Sequence, residues 1–266
     1  LGGVIKCRID NLIFIKQVHF FKNIMQKLIS ILAIITLFSC KEVEQLDVVR
    51  VSELYPLAVG KSFIYRLDST QPASFGSSLI TKSFLAKDSV DGSFIDAVGK
   101  RSFRIFRYLR DTAQTKPWTF VATYSAHFDS TNVEYVDNSL RFIKLANPVS
   151  FNTSWKGNIL INTILPSPYY FLDNWNYTYE NMDEPFTTPQ GITYNNTYTV
   201  FHEDMQTPAV FAPLQYNAKS YSKEVYAKGI GLVHKEFLYW IWQPTPAPAR
   251  YQDDAYGVKM SLISYR

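Results

Sequence analysis

The stretch "RSFRIFRYLR" (Arg101–Arg110) decides the fold. In an extended chain successive side chains point to opposite faces, so Phe103, Ile105 and Arg107 share one face. Arg104, Phe106 and Tyr108 share the other. A helix would scatter these residues around its axis. Alternation rich in aromatic and branched residues therefore predicts a strand.

The same period recurs on both sides. "KSFIYRL" (Lys61–Leu67), "SLITKSFLAK" (Ser78–Lys87) and "WTFVATYSAHF" (Trp118–Phe128) alternate in the same way. Further strands are expected at Thr193–Phe201, Ser220–Ala227, Leu232–Gln243 and Gly257–Tyr265. Turn signals at Gly60, Asp91-Gly92 and Asp137-Asn138 separate strands, and "VEYVDNSLRFIKL" reads as a hairpin about Asp137-Asn138. No sustained 3.6-residue pattern follows Cys40. The expected fold is all-β and mainly antiparallel. It is a curled meander or barrel-like single domain over residues 54–266, preceded by an N-terminal signal helix.

Three segments are less regular. "QPTPAPARYQDD" (Gln243–Asp254) reads as a protruding polyproline-like loop, because its prolines cannot continue a ladder. Pro166–Gly191 reads as loop-rich and aromatic. Gly229 and Gly231 bracket Ile230 and predict a bulge or close backbone approach. A dinucleotide loop would need a third glycine and a following helix, and neither is present.

The N-terminus has a different character. Leu28–Phe38 ("LISILAIITLF") is uncharged and follows Met25-Gln26-Lys27. As a helix it would span roughly 16 Å, against roughly 30 Å of bilayer core, so it suits a signal-peptide core better than a membrane span. Residues 1–24 read as an over-extended start, residues 25–39 as a lipoprotein signal peptide and residues 40–53 as a tether. Leu37-Phe38-Ser39-Cys40 resembles the bacterial lipobox, although Phe38 replaces the usual small residue. Cys40 is the candidate lipidation site, since a thioether-linked anchor requires the sulfur. Cys7 lies before Met25, so a mature chain beginning at Cys40 would form no internal disulfide. "KEVEQLD" (Lys41–Asp47) resembles the surface-export signal of Bacteroidetes lipoproteins.

The formal charge of +4 arises in this segment, where Lys6, Arg8, Lys16, Lys22 and Lys27 face Asp10 alone. The rest of the chain is neutral and has no basic stripe, so a nucleic-acid partner is not expected.

Three phrases resemble a family of Bacteroidetes lipoproteins. They are "LYPLAVGKSFIYRL" (Leu54–Leu67), "LRFIKLANPVSFNTSWKGN" (Leu140–Asn158) and "KEVYAKGIGLVHKEF" (Lys223–Phe237). Phe151-Asn152 departs from the family pattern, where glycine is common. The resemblance implies an outer-membrane lipoprotein held by its acyl chains. It assigns no chemistry.

Catalytic signals are weak. His202, Glu203 and Asp204 are consecutive, so a strand sends them to opposite faces and they do not converge on a metal. His127 and His234 read as ordinary surface or half-buried residues. No metal or cofactor is expected, and no Gly-x-Ser-x-Gly or His-Glu-x-x-His motif occurs. Tyr169, Tyr170, Trp175, Tyr177 and Tyr179 are the candidate aromatic binding surface, suited to a glycan or apolar ligand. Trp240 and Trp242 should share a strand face. Asp-Ser/Thr sequons resembling Bacteroidetes O-glycosylation sites nominate Ser69, Ser89, Thr112 and Ser130.

The sequence therefore points to a non-enzymatic envelope lipoprotein that binds a ligand or an envelope partner through its β domain. The alternative is an envelope glycan hydrolase using loop carboxylates, with Asp183-Glu184 and Asp253-Asp254 as the available pairs. That chemistry needs two acids about 5–9.5 Å apart across a cleft. Cys40→Ala is expected to abolish metabolic labelling by a fatty acid, and persistent labelling would exclude the lipobox. Intact-mass analysis of the native protein should show added sugar mass if the sequons are used.

Overall fold

The computed structural model describes residues 48–266, together with Lys22 and Met25. The expected leader, the lipidation site Cys40 and the tether as far as residue 47 lie outside the described residues. Residues 48–266 form one compact unit, so the end of the expected tether belongs to the folded body. No helix among the described residues is long and apolar enough to cross a membrane.

The chain forms a nearly closed antiparallel barrel. Six strands run outward from the start: β1 (Ser62–Pro72), β2 (Leu79–Ile95), β3 (Arg101–Asp111), β4 (Thr119–Phe128), β5 (Asn132–Asp137) and β6 (Leu140–Ala146). Each pairs with its predecessor. The second arm comprises β7 (Ser154–Trp155), β8 (Tyr177–Thr187), β9 (Thr193–Thr207), β10 (Asn217–Ala227), β11 (Gly231–Gln243), β12 (Arg250–Tyr251) and β13 (Tyr256–Tyr265). In this arm β13 skips β12 to pair with β11, and then joins β1 to link the two arms.

The two free edges, β6 and β7, meet at a seam. Ile143 N–H donates to the Gly157 carbonyl at 2.8 Å, and Trp155 Nε1–H donates to the Ile143 carbonyl at 2.8 Å. Tyr179 Oη accepts from Ala146 N–H at 3.2 Å and donates to the Ala146 carbonyl at 3.0 Å. A Cβ on Gly157 would overlap the Tyr177 ring, so glycine permits this approach.

The alternation read at Arg101–Arg110 sets the wall. Phe103 and Ile105 pack in the core and Arg107 points into the interior. Phe106 and Tyr108 instead meet Phe120 edge-on, at 5.7 and 6.0 Å between ring centroids. The expected hairpin also forms, with Asn138 and Ser139 both at positive φ between β5 and β6. Two residues at positive φ suit the right-handed twist of the flanking strands.

Several expectations are corrected. Asp91-Gly92 is a bulge inside the long β2 strand, where the register shifts between Val90 and Gly92, and the turn comes later at Asp96–Lys100. A strand glycine can mark a bulge as readily as a turn. Pro166–Gly191 is half ordered, as a 3-10 turn (Tyr170–Leu172) and β8. Asp183-Glu184 therefore lies on an irregular strand, with Asp183 at φ 58°, and not in a loop. The Pro-rich segment is exposed and irregular over residues 245–248. It returns through β12, where Tyr251 packs edge-on against Trp240 and Trp242. Those two tryptophans do share a face. Gly229, at φ 79°, lies in the β10–β11 turn and Gly231, at φ 119°, opens β11; the expected close backbone approach is made by Gly229.

One end of the barrel is plugged. α1 (Val51–Leu54) is a single turn that touches both β5 and β11. Val51 and Leu54 are fully buried, each adding roughly 1.5–3 kcal/mol of apolar burial. Glu53 Oε1 accepts from Arg50 N–H, and its carbonyl accepts from Gly229 N–H at 2.8 Å, which ties the plug to the β10–β11 turn.

The seam predicts its own weakness. Tyr179→Phe strands both backbone groups of Ala146 and should cost about 1–3 kcal/mol in urea unfolding. An unchanged unfolding midpoint would mean the seam contributes nothing to closure.

Candidate ligand-binding cavity

The interior beyond the plug is not filled. A cavity of about 380 Å³ lies inside the wall. Its deep end is made by Tyr65, Tyr226 and His202, all buried. The other end reaches solvent between exposed residues: Asn138 on the β5–β6 turn, Pro168, and Asp254 and Tyr256 where β13 begins. Phe142, Phe171, Trp175, Phe237 and Tyr239 line the space between. Phe171 stacks on Tyr239 at 3.9 Å, so the 3-10 turn is held as part of the wall.

Charged residues occupy the deep half. Arg107 donates twice to Asp88, at 2.7 and 2.6 Å, and its guanidinium lies 4.7 Å from the Tyr124 ring centre. This pair is closed on itself. The second cluster is different. Glu224, only 2% exposed, accepts from Lys144 Nζ at 2.9 Å and from Tyr226 Oη at 2.7 Å. Lys235 Nζ lies 3.6 Å from the same carboxylate, and His202 Nε2 lies 3.7 Å away. Burial pushes the Glu224 carboxyl up, but Lys144 and Lys235, then His202, outweigh it and hold it well below the usual carboxylate range. Burial pulls the Lys144 ammonium down, and Glu224 opposes that shift.

His202 is set by its neighbours. Nδ1 pairs with Ser222 Oγ at 2.8 Å, and the ring stacks on Tyr177 at 3.7 Å between centroids. Burial drives its pKa down to about 3, against the pull of Glu224 and with the push of Lys144 and Lys235. The ring is therefore neutral near pH 7. The Glu224 carboxylate facing Nε2 favours the tautomer with the proton on Nε2.

The residues expected from the sequence are distributed as follows. Trp175 and Tyr177 are buried and, with Tyr169, face the cavity, so these aromatics form an inner wall and not an exposed surface. Tyr179 is fully buried at the seam, and Tyr170 pairs through its hydroxyl with Tyr239 at 3.1 Å. His127 accompanies Arg101 and Asp129 near the surface. His234 is buried and not superficial, bonded to Ser261 and Glu236 at 2.9 Å each. No group of metal-binding side chains occurs among the described residues. Thr112 and Ser130 lie in exposed turns, whereas Ser69 and Ser89 lie within β1 and β2. Of the loop acids, Asp254 reaches the cavity mouth.

Sequence reading missed Lys144, Glu224 and Lys235. A signal was present: Leu140, Phe142 and Lys144 are in phase, as are Ser222, Glu224 and Tyr226. A charge in phase with inward neighbours marks an interior that is not simply apolar.

No protein-family model matches the chain, and no curated protein matches it. Among solved structures, a crystal structure from Bacteroides fragilis named as a "putative exported protein with YmcC-like fold" is similar at 13% identity. Its TM-score is 0.37, over 79% of this chain and 98% of that one. A likeness this remote carries no functional argument.

The buried cluster imposes a pH dependence. His202 has a folded pKa below its unfolded value, so the unfolded chain binds the extra proton. Stability is lost as pH falls from about 6.5 toward 3, by up to about 2 kcal/mol at pH 5. Glu224 adds a loss only once pH falls below its ordinary range near 4.5. Urea unfolding at pH 7 and pH 5 should show a smaller difference in His202→Gln than in the parent chain. Equal differences would place the acid sensitivity elsewhere.

Proposed function

We propose that this chain is a non-enzymatic binding module of the bacterial cell envelope. It carries a small molecule inside its barrel. The observation that supports this reading is the cavity of about 380 Å³, plugged by α1 at one end and open at the other. Its size and its mostly aromatic lining with a few convergent polar groups fit the general form of small-molecule sites. A barrel whose interior was filled would instead have favoured a partner-binding or structural role.

The location comes from the sequence. The signal-peptide pattern, the lipobox-like Leu37–Cys40 and the following Lys41–Asp47 support export, lipid anchoring at Cys40 and residence in the outer membrane, displayed at the surface. The neutrality of residues 40–266 and the lack of a basic stripe support a protein without a nucleic-acid partner. Exposure supports Thr112 and Ser130 over Ser69 and Ser89 as sites of O-glycosylation.

Hydrolysis of envelope glycans is the weaker alternative. A general acid needs a carboxyl whose pKa is raised toward neutrality. Glu224 is shifted the opposite way, and Asp88 is locked to Arg107.

A neutral fluorescent probe tests the binding reading. N-phenyl-1-naphthylamine should bind the full chain one to one with increased emission. Val258→Trp, which fills the cavity from β13, should weaken that binding about tenfold or more while preserving the β-sheet circular dichroism signal. Absence of any emission change in the parent chain would refute the cavity as a binding site.

A further inference from the structure

The deep cluster sets four donor groups around one carboxylate and satisfies only two of them. Glu224 Oε1 faces Lys144 at 2.9 Å and Lys235 at 3.6 Å, while Oε2 faces Tyr226 at 2.7 Å and His202 Nε2 at 3.7 Å. Only the Lys144 and Tyr226 contacts have hydrogen-bond length. His202 Nε2 is fully buried without a hydrogen-bond partner. Among the described residues, Lys144 and Lys235 have no ion-pair partner other than Glu224. Arg107 and Asp88 neutralise each other, so they do not offset this imbalance.

The deep half of the cavity therefore holds two ammonium groups, one carboxylate and an unused N–H. One positive charge is left over in a space walled by aromatic rings. Lys235, with its side chain 24% exposed, is the ammonium that lacks a hydrogen-bonded carboxylate, and a bound anion would supply one. The acids at the mouth do not serve this purpose. Asp137, half-exposed on the β5–β6 turn, acts on Lys144 more weakly than Glu224 does, and Asp254 is exposed; neither forms an ion pair with the two ammonium groups.

We propose that the cavity takes an amphipathic monoanion. Its carboxylate or sulfate head is held by Lys235, Lys144 and the His202 Nε2–H, and its apolar body lies toward the mouth among Phe142, Phe171 and Phe237. This rests on the reading of the barrel as a binding module and adds the chemical class of the ligand. The molecule enters head first, because the donors sit at the closed end and the apolar wall lies between them and solvent. Lys235 is the discriminating residue. Its ammonium carries the surplus charge, and its removal leaves Glu224 still paired with Lys144, so the fold is kept.

Calorimetric titration of the full chain with three probes of one chain length tests this: decanoate, 1-decanol and decyltrimethylammonium. Decanoate should bind at least about tenfold more tightly than the other two, a gap of the size charge-assisted hydrogen bonds provide. Lys235→Met should remove most of that preference, weakening decanoate far more than 1-decanol. Lys235→Arg should retain it. If the naphthylamine binds but decanoate shows no advantage, or if Lys235→Met leaves the preference intact, the anionic head is refuted and the binding reading stands. If neither the naphthylamine nor any of the three chains binds, both readings fall together.

Discussion

A nearly closed ring of twelve strands encloses more volume than inward side chains can fill. Eight strands give an interior that side chains just occupy, and the diameter grows with each further strand. Everything inside this protein answers that geometric excess. α1 closes one end, large aromatic residues thicken the wall, and a remainder stays empty. The ionised groups inside persist because they pair with one another: Glu224, 2% exposed, is bonded to Lys144 and faces Lys235. The Lys144–Glu224–Lys235 cluster exists on those terms. Unpaired, the same residues would carry a severe desolvation penalty.

The interior has a direction. Charges and unsatisfied donors gather at the plugged end, rings line the middle, and exposed residues frame the mouth. The arrangement is produced by strands far apart in the chain: Lys144 comes from β6, His202 from β9, Glu224 from β10 and Lys235 from β11. The wall holding them is stiffened by ring contacts such as Phe171 on Tyr239 and Tyr177 on His202. A site built on strands moves less than one built on loops, and here the charged cluster stands on strands while loop residues such as Asn138, Pro168, Trp175 and Asp254 complete the cavity wall.

The strands were legible in the sequence because alternation is local. Arg101–Arg110 revealed its inward face, and Asp137-Asn138 revealed its hairpin, each from a handful of neighbouring residues. The bulge at Asp91-Gly92 was not legible, since the same two residues serve a turn or a bulge and the difference depends on whether β3 is alongside. The cavity cluster was still less so. Lys144 and Glu224 are 80 residues apart, and nothing local brings them together. The aromatic density around Tyr169–Tyr179 was visible, but whether those rings faced outward or inward was decided by how the sheet closed.

The joining of β1 to β13 has a kinetic consequence. Arg266 reaches Ser62 across 204 residues of chain, and the ladder between these strands is what unites the two arms. Such non-local pairing is slow to form, because a very long loop must close before any contact rewards it. Until the last strand is available, one side of β1 offers unpaired N–H and C=O groups to any neighbouring chain. The barrel wall, and with it the cavity, is complete only once that ladder has formed. A growing chain would have to be shielded from itself for as long as its first strand waits for its final one.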